Sequence, residues 1–271
     1  MLSIVVLACY LACAAWLASS VYRADEKAAH GRRIAGLGLG AIAVALHASL
    51  LWNSVFAKPE LAFTVAETAS LIGWPTGLIA LALTLLRPRF AGISSILMAI
   101  AGVVAATTVE GNAGYALDEQ SYGWEIAAHI VLSTLAYALL TIAVAIAIAL
   151  ALLDRRLRSR QPLGMLTILP SMEALESATF QALGAGFAIL TLALFSGFIF
   201  VRDLFAQHLI HKTVLSCLAW IVFAVLLFGR WRFGWRGRVA RNWTLSGFAL
   251  LGLAYFGSKI VLETILGRHW G

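Results

Sequence analysis

Two histidines, His47 and His129, sit in runs of alanine, leucine, isoleucine and valine where little else is polar. An imidazole offers one nitrogen lone pair and one N–H, changes charge near neutral pH, and is costly to leave unmatched inside a membrane. Such a ring faces a bundle interior, a cavity or a ligand, so ligation and structural hydrogen bonding are the chemistries to weigh. Glu67, Lys259 and Glu263 are further ionisable residues set in or at the ends of apolar runs.

The elements that must hold these groups are membrane helices. The 271 residues are 61% hydrophobic and 12% charged, with a mean hydropathy of +0.89. A hydrocarbon core about 30 Å thick needs roughly 20 apolar residues per helix. The uncharged runs then give about eight spans, near 2–22, 34–56, 62–86, 90–109, 124–153, 174–202, 213–230 and 243–266. The links are short apart from 109–123 and 154–173, so the expectation is an all-α polytopic membrane helix bundle forming a single transmembrane domain over 1–271. Gly36, Gly38 and Gly40, with Gly184 and Gly186, should let helices approach closely. Trp74-Pro75 should kink the third span.

The basic residues follow the loops. Arg23, Lys27, Arg32 and Arg33 follow the first span, and Arg87 and Arg89 the third. Arg155, Arg156, Arg158 and Arg160 follow the fifth, and Arg230, Arg232, Arg236, Arg238 and Arg241 the seventh. The opposite side receives Lys58, Arg202, Lys212, Lys259 and Arg268. The positive-inside rule places the basic loops in the cytoplasm and both termini outside, N-out/C-out, as in a multi-pass bacterial inner membrane protein with periplasmic termini. These arginines read as topology signals and contacts to anionic headgroups of the lipid bilayer, with no nucleic acid as partner. Gly234-Trp235-Arg236-Gly237-Arg238 fits an interfacial tryptophan belt beside snorkelling arginines. The first span lacks a charged leading region and reads as a retained anchor rather than a cleaved signal. Cys9, Cys13 and Cys217 form no Cys-x-x-Cys and read as small packing residues.

Helical arithmetic at about 1.5 Å per residue puts His47, Glu67, His129, Lys259 and Glu263 in the outer third of the bundle. Each has a structural alternative. His47 can donate to a carbonyl inside the bundle, Glu67 can be satisfied by Thr64 or Ser70, and Lys259 and Glu263 can satisfy each other at i,i+4.

The run Ala128-His129-Ile130-Val131-Leu132-Ser133-Thr134-Leu135-Ala136-Tyr137-Ala138 resembles the histidine-bearing span of the cytochrome c assembly family, the CcsA/HemX-type membrane proteins. Further likeness lies in His211-Lys212-Thr213-Val214-Leu215-Ser216, Trp220, Gly234-Trp235-Arg236-Gly237 and Ala254-Tyr255-Phe256-Gly257-Ser258-Lys259, and it points to the YpjD branch. The resemblance implies haem b as cofactor, with His129 as an axial ligand of the iron and His47 or His211 as the other. Trp124, Trp52 and Tyr255 would be apolar or hydrogen-bonding walls. Imidazole is a natural axial ligand for haem iron. This chain departs from the family pattern at three places, one of them the span-seven histidine, near whose place Phe228 stands. Leu209-Ile210-His211-Lys212-Thr213 stands where a Trp-rich segment ending in Trp-Asp-Pro-Lys-Glu belongs, and Ala254 stands where the second external histidine belongs.

A haem-binding, haem-handling inner-membrane protein related to cytochrome c assembly factors is therefore the leading expectation, with an assembly factor as partner and with binding rather than enzymatic bond-making as its role. The alternatives are an accessory or regulatory subunit of a membrane transporter for divalent cations, and a HemX-like regulator of haem biosynthesis. The first draws on the acidic loop residues Glu110, Asp118, Glu119 and Glu125, oxygen donors of the kind Mg²⁺ prefers. The second would use Arg155 to Arg160 as its contact surface. No Gly-x-Ser-x-Gly, His-Glu-x-x-His or phosphate-binding glycine loop supports an enzyme.

Overall fold

The structure is a computed structural model that describes residues 1–22, 25–56, 61–62, 64–108, 116–117, 124–160, 162, 164–200 and 210–257. Eight α-helices account for nearly all of these residues: α1 (Leu2–Val21), α2 (Glu26–Leu51), α3 (Val65–Leu86), α4 (Ala91–Ala106), α5 (Trp124–Arg158), α6 (Met172–Phe200), α7 (Ile210–Phe233) and α8 (Gly237–Gly252). Among the described residues, strand geometry is confined to Leu61–Ala62 and Ala116–Leu117. α2 and α8 each run on into a π-helical turn, Trp52–Phe56 and Leu253–Gly257. Helices dominate because lipid supplies no hydrogen bonds to a backbone, which must satisfy itself.

Helices α1 to α7, α4 together with the preceding turn Pro88–Phe90, are long and apolar enough to cross a bilayer. Helix α8 has 16 residues before its π turn, and the remainder of the expected last span lies outside the described residues. The observed helices overrun the hydropathy windows at their charged ends. Helix α2 begins eight residues before the expected residue 34, at Glu26, because the Asp25 side chain accepts from the Lys27 backbone N–H at 3.1 Å and caps the first turn. Helix α5 continues past residue 153 to Arg158, where Arg158 Nε meets Asp154 Oδ1 at 2.8 Å one turn back. Charged residues lower a hydropathy average without lowering helix propensity, so the windows stop short.

The chain divides into two compact units, one of Met1–Ala116 with Leu152–Ala174 and one of Leu117–Ala151 with Leu175–Gly271. The first is built on α1, whose Val6, Tyr10, Cys13 and Leu17 are fully buried. Since lipid is as apolar as leucine, helices associate by close packing, and small residues decide where backbones can meet. Gly36 faces Leu17, Gly40 faces Cys13 and Leu81, and Gly102 faces Tyr10. A Cβ on Gly102 would lie 2.6 Å from Tyr10 Cβ. Gly102→Val is therefore expected to push α4 from α1 at a cost of about 1–3 kcal/mol, read as a lower melting temperature in mild detergent. Unchanged melting would remove the close approach as a determinant of packing.

In the second unit the core is drawn from α5 (Ala136, Leu140), α6 (Leu183, Leu190), α7 (Phe223) and α8 (Leu251). Gly186 meets Leu140 here, whereas a Cβ on Gly38 or Gly184 would meet nothing within 4 Å, so these two do not serve close packing as expected. At the end of the unit where α6 begins and α7 finishes, Arg230 donates to Glu176 at 2.8 Å and lies over the Phe180 ring, 4.5 Å from its centroid. The α7–α8 turn closes with positive φ at Gly234 (66°) and Gly237 (56°), a conformation that glycine adopts without Cβ strain. Trp235 packs on Trp243 with centroids 5.6 Å apart. The basic and aromatic patch is thus anchored to the fold on one side and exposed at Arg236 and Arg238 on the other.

Candidate functional site

The two intramembrane imidazoles are held in opposite tautomers, and their hydrogen-bond partners decide which can offer a lone pair. His47 on α2 is fully buried in the first unit, with Tyr10 of α1 against Nδ1 at 3.1 Å and Ser70 of α3 against Nε2 at 2.9 Å. The Tyr10 ring meets it edge-on, centroids 5.7 Å apart. Tyr10 is itself fully buried, and among the described residues its hydroxyl has only His47 as an acceptor. The phenol therefore donates to Nδ1, which leaves the proton on Nε2 to be donated to Ser70. Both nitrogens are used, and the ring ties three helices together.

His129 is placed otherwise. It lies in the second turn of α5, half-buried, with Nδ1 2.9 Å from Ser196 Oγ on α6. Ser196 donates its hydroxyl proton to the Ala193 carbonyl at 2.8 Å, one turn back on its own helix. Its oxygen can then only accept, so Nδ1 carries the proton and Nε2 keeps the lone pair. Among the described residues Nε2 meets Ser133 Oγ at 3.5 Å, a long contact at the limit of a hydrogen bond. A ring held through Nδ1–H by an outer partner while Nε2 points away from it is the arrangement of metal-ligating histidines.

Local sequence explains the placement. Ser196-Gly197 is a small, polar step in the otherwise apolar α6, and it lets α5 come close. A Cβ on Gly197 would stand 3.0 Å from His129 Cε1. His129, Ser133 and Tyr137 follow at i, i+4 and i+8 and share one face of α5. The Tyr137 hydroxyl donates to the Leu251 carbonyl at 2.7 Å, and its ring meets Tyr255 edge-on at 6.5 Å.

The other expected residues distribute as follows. Trp124 opens α5, is 73% exposed, and packs edge-on against Phe200 at 5.9 Å, so the start of α5 lies beside the end of α6. Trp52 belongs to the first unit, in the π turn after α2, and is 63% exposed. His211 stands in the first turn of α7, with its side chain outside the described residues, as are His208, Lys259 and Glu263. The structure thus brings His129 and Trp124 onto one helix, and Tyr255 beside Tyr137 of that helix, while His47 and Trp52 belong to the other unit. Glu67 is buried as the third residue of a capping box: Thr64 N–H donates to Glu67 Oε2 at 2.8 Å and Glu67 N–H to Thr64 Oγ1 at 3.1 Å. Its role at the α3 N-terminus fits the structural alternative, with Thr64 as partner. Of the acidic loop, Glu110, Asp118 and Glu119 lie outside the described residues, and among the described residues no group of three or more His, Cys, Asp or Glu is placed to hold a metal ion.

Ser196, Gly197 and Tyr10 were not singled out by the sequence. A hydroxyl beside a glycine in an apolar helix, and the one phenol inside α1, are the signals that could have found them.

As a donor set, the described residues of the second unit offer one imidazole nitrogen with its lone pair kept, a hydrogen bond behind it, and aromatic and aliphatic neighbours. That set suits a single axial bond to a haem iron. The class defined by the fold is a polytopic helical membrane protein, with a half-buried histidine in the second turn of α5.

Residues 110–266, more than half of the chain, match the family described as "Cytochrome C assembly protein". The chain belongs to the cytochrome c assembly family, and within it resembles the YpjD branch. It is 37% identical to "Inner membrane protein YpjD" of Escherichia coli over 137 residues, 51% of this chain and 52% of that protein. An "Uncharacterized 28.8 kDa protein in nifR3-like 5'region" of Azospirillum brasilense is 35% identical over 144 residues, 52% and 53% of the two chains. "Cytochrome c biogenesis protein CcsA" of Microcystis aeruginosa is 26% identical over 100 residues, 36% and 30% of the two. The matched stretch spans about half the length of the first two of these curated relatives. No solved structure matches.

Proposed function

We propose that this chain binds and hands on haem within the membrane, with His129 as an axial ligand through Nε2. The observation that carries the reading is the proton assignment at Ser196, which leaves that nitrogen, and not Nδ1, with the lone pair. Family membership supports a haem-related role. Bound haem would supply a Lewis-acidic iron that takes the imidazole lone pair. Ser196 fixes the tautomer and orientation of the ring, Gly197 leaves room for it, and Trp124 and Phe200 pack on one another where α5 begins and α6 ends. With both nitrogens of His47 engaged, His211 at the head of α7 is preferred as a second ligand. Under the positive-inside orientation this end of the bundle faces the periplasm, and the protein resides in the inner membrane with both termini outside. A cytochrome assembly factor is the partner that would give or receive the haem. The role is binding and transfer, without catalysis.

The test is the absorption spectrum of protein purified in mild detergent, before and after titration with hemin. A saturable Soret band of a histidine-ligated haem is expected, and colourless protein that takes up no hemin ends the proposal. Gly197→Ala places a methyl against Cε1 and is expected to weaken hemin binding about tenfold by tilting the ring, an effect of the size outer-shell changes have on metal sites. Equal binding would mean that Gly197 does not set the ring position.

A further inference from the structure

Lys212 lies in the first turn of α7, at the first residue of a candidate membrane span, and its side chain is half-buried. Its ammonium stands 5.5 Å from the centroid of the Tyr255 ring, and among the described residues it has no carboxylate partner. An aromatic face alone compensates a half-buried ammonium only in part, and a cation so placed at the end of a span can receive an anion. The ring beneath it is packed on its neighbours. Tyr255 meets Tyr137 edge-on at 6.5 Å and Phe256 at 5.3 Å, and Tyr137 is tied to α8 through the Leu251 carbonyl.

This cation and His129 belong to one unit and are linked by one face of α5. From His129 through Ser133 to Tyr137 is eight residues, roughly 12 Å along the helix, a separation to be covered by half a porphyrin, its propionate arm and the two protein side chains together. Resting on the proposed haem site, we propose that Lys212, carried on the Tyr137–Tyr255 platform, is the seat for a haem propionate, so that the site selects an iron porphyrin with free carboxylates over a neutral one. The lysine neutralises the carboxylate, and the Tyr255 ring holds the ammonium on the side of the ligand. His129 fixes the metal and Lys212 fixes the edge.

The experiment compares hemin with hemin dimethyl ester, which keeps the iron and macrocycle and lacks both carboxylates, in the full-length protein in one detergent. Wild type is expected to prefer hemin by about tenfold relative to Lys212→Gln, a ratio of ratios that cancels the different partitioning of the two probes into micelles. Lys212→Arg should retain the preference, and the Soret position should be the same in all three proteins because the iron ligand is unchanged. Matched melting curves without porphyrin establish that Lys212→Gln is folded. If both probes bind with a His129-dependent Soret band and Lys212→Gln leaves their ratio unaltered, the propionate seat is overturned and the haem site stands. If neither probe binds, or His129→Ala leaves the band of both intact, the haem site falls and the seat falls with it.

Discussion

Replacing His129 with alanine is expected to abolish the histidine-type Soret band and weaken hemin binding by more than 100-fold, while costing only about 1 kcal/mol of stability. The asymmetry follows from the hydrogen bonds. Ser196 keeps its bond to the Ala193 carbonyl when the ring is gone, so no hydroxyl proton is stranded, and the interhelical bond that is lost is of a kind worth about 0.6–2 kcal/mol in membranes. The iron, by contrast, loses its ligand outright. Ser196→Ala should be intermediate, about 10–100-fold in affinity, because the ring remains but its tautomer is no longer fixed. A His129→Ala protein that keeps the wild-type spectrum would transfer the ligand role elsewhere, and a Ser196→Ala protein that binds as wild type would dismiss the tautomer argument.

His47→Ala should do the reverse. It leaves the Tyr10 hydroxyl and Ser70 Oγ facing a gap, both on fully buried residues, and removes a ring that joins α1, α2 and α3. A buried polar group deprived of its partner costs about 1–3 kcal/mol, and the membrane reference state softens this, so a loss of about 3 kcal/mol is expected for the pair and the cavity together. The measurement is the melting temperature of the purified protein in mild detergent, with hemin binding recorded alongside. Lower stability with an unchanged Soret band supports the structural role. Unchanged stability with a lost band would make His47 the ligand and His129 the bystander. The two variants therefore interchange their predicted phenotypes if the assignment is reversed.

The helices were legible because each carries its own evidence: a run of apolar residues long enough for the bilayer needs no partner to be recognised. Their ends were less so. Asp25 capping α2 and the Asp154–Arg158 pair extending α5 act through single hydrogen bonds and ion pairs that a hydropathy average reads as interruption. Glu67 illustrates the same gap. The sequence offers Thr64 or Ser70 as its partner, and the choice of Thr64 through a capping box depends on where the helix starts to within one residue.

By itself the sequence determined the membrane class, the all-helical fold, the family and the pair of histidines worth attention, since these depend on composition, run length and local motif. Which histidine keeps a lone pair was decided only by the tertiary structure. His47 and His129 have nearly the same apolar surroundings along the chain, but their partners come from 23 to 67 residues away. Proton position is set by what a partner hydroxyl has already donated to, and that depends on which helix faces which.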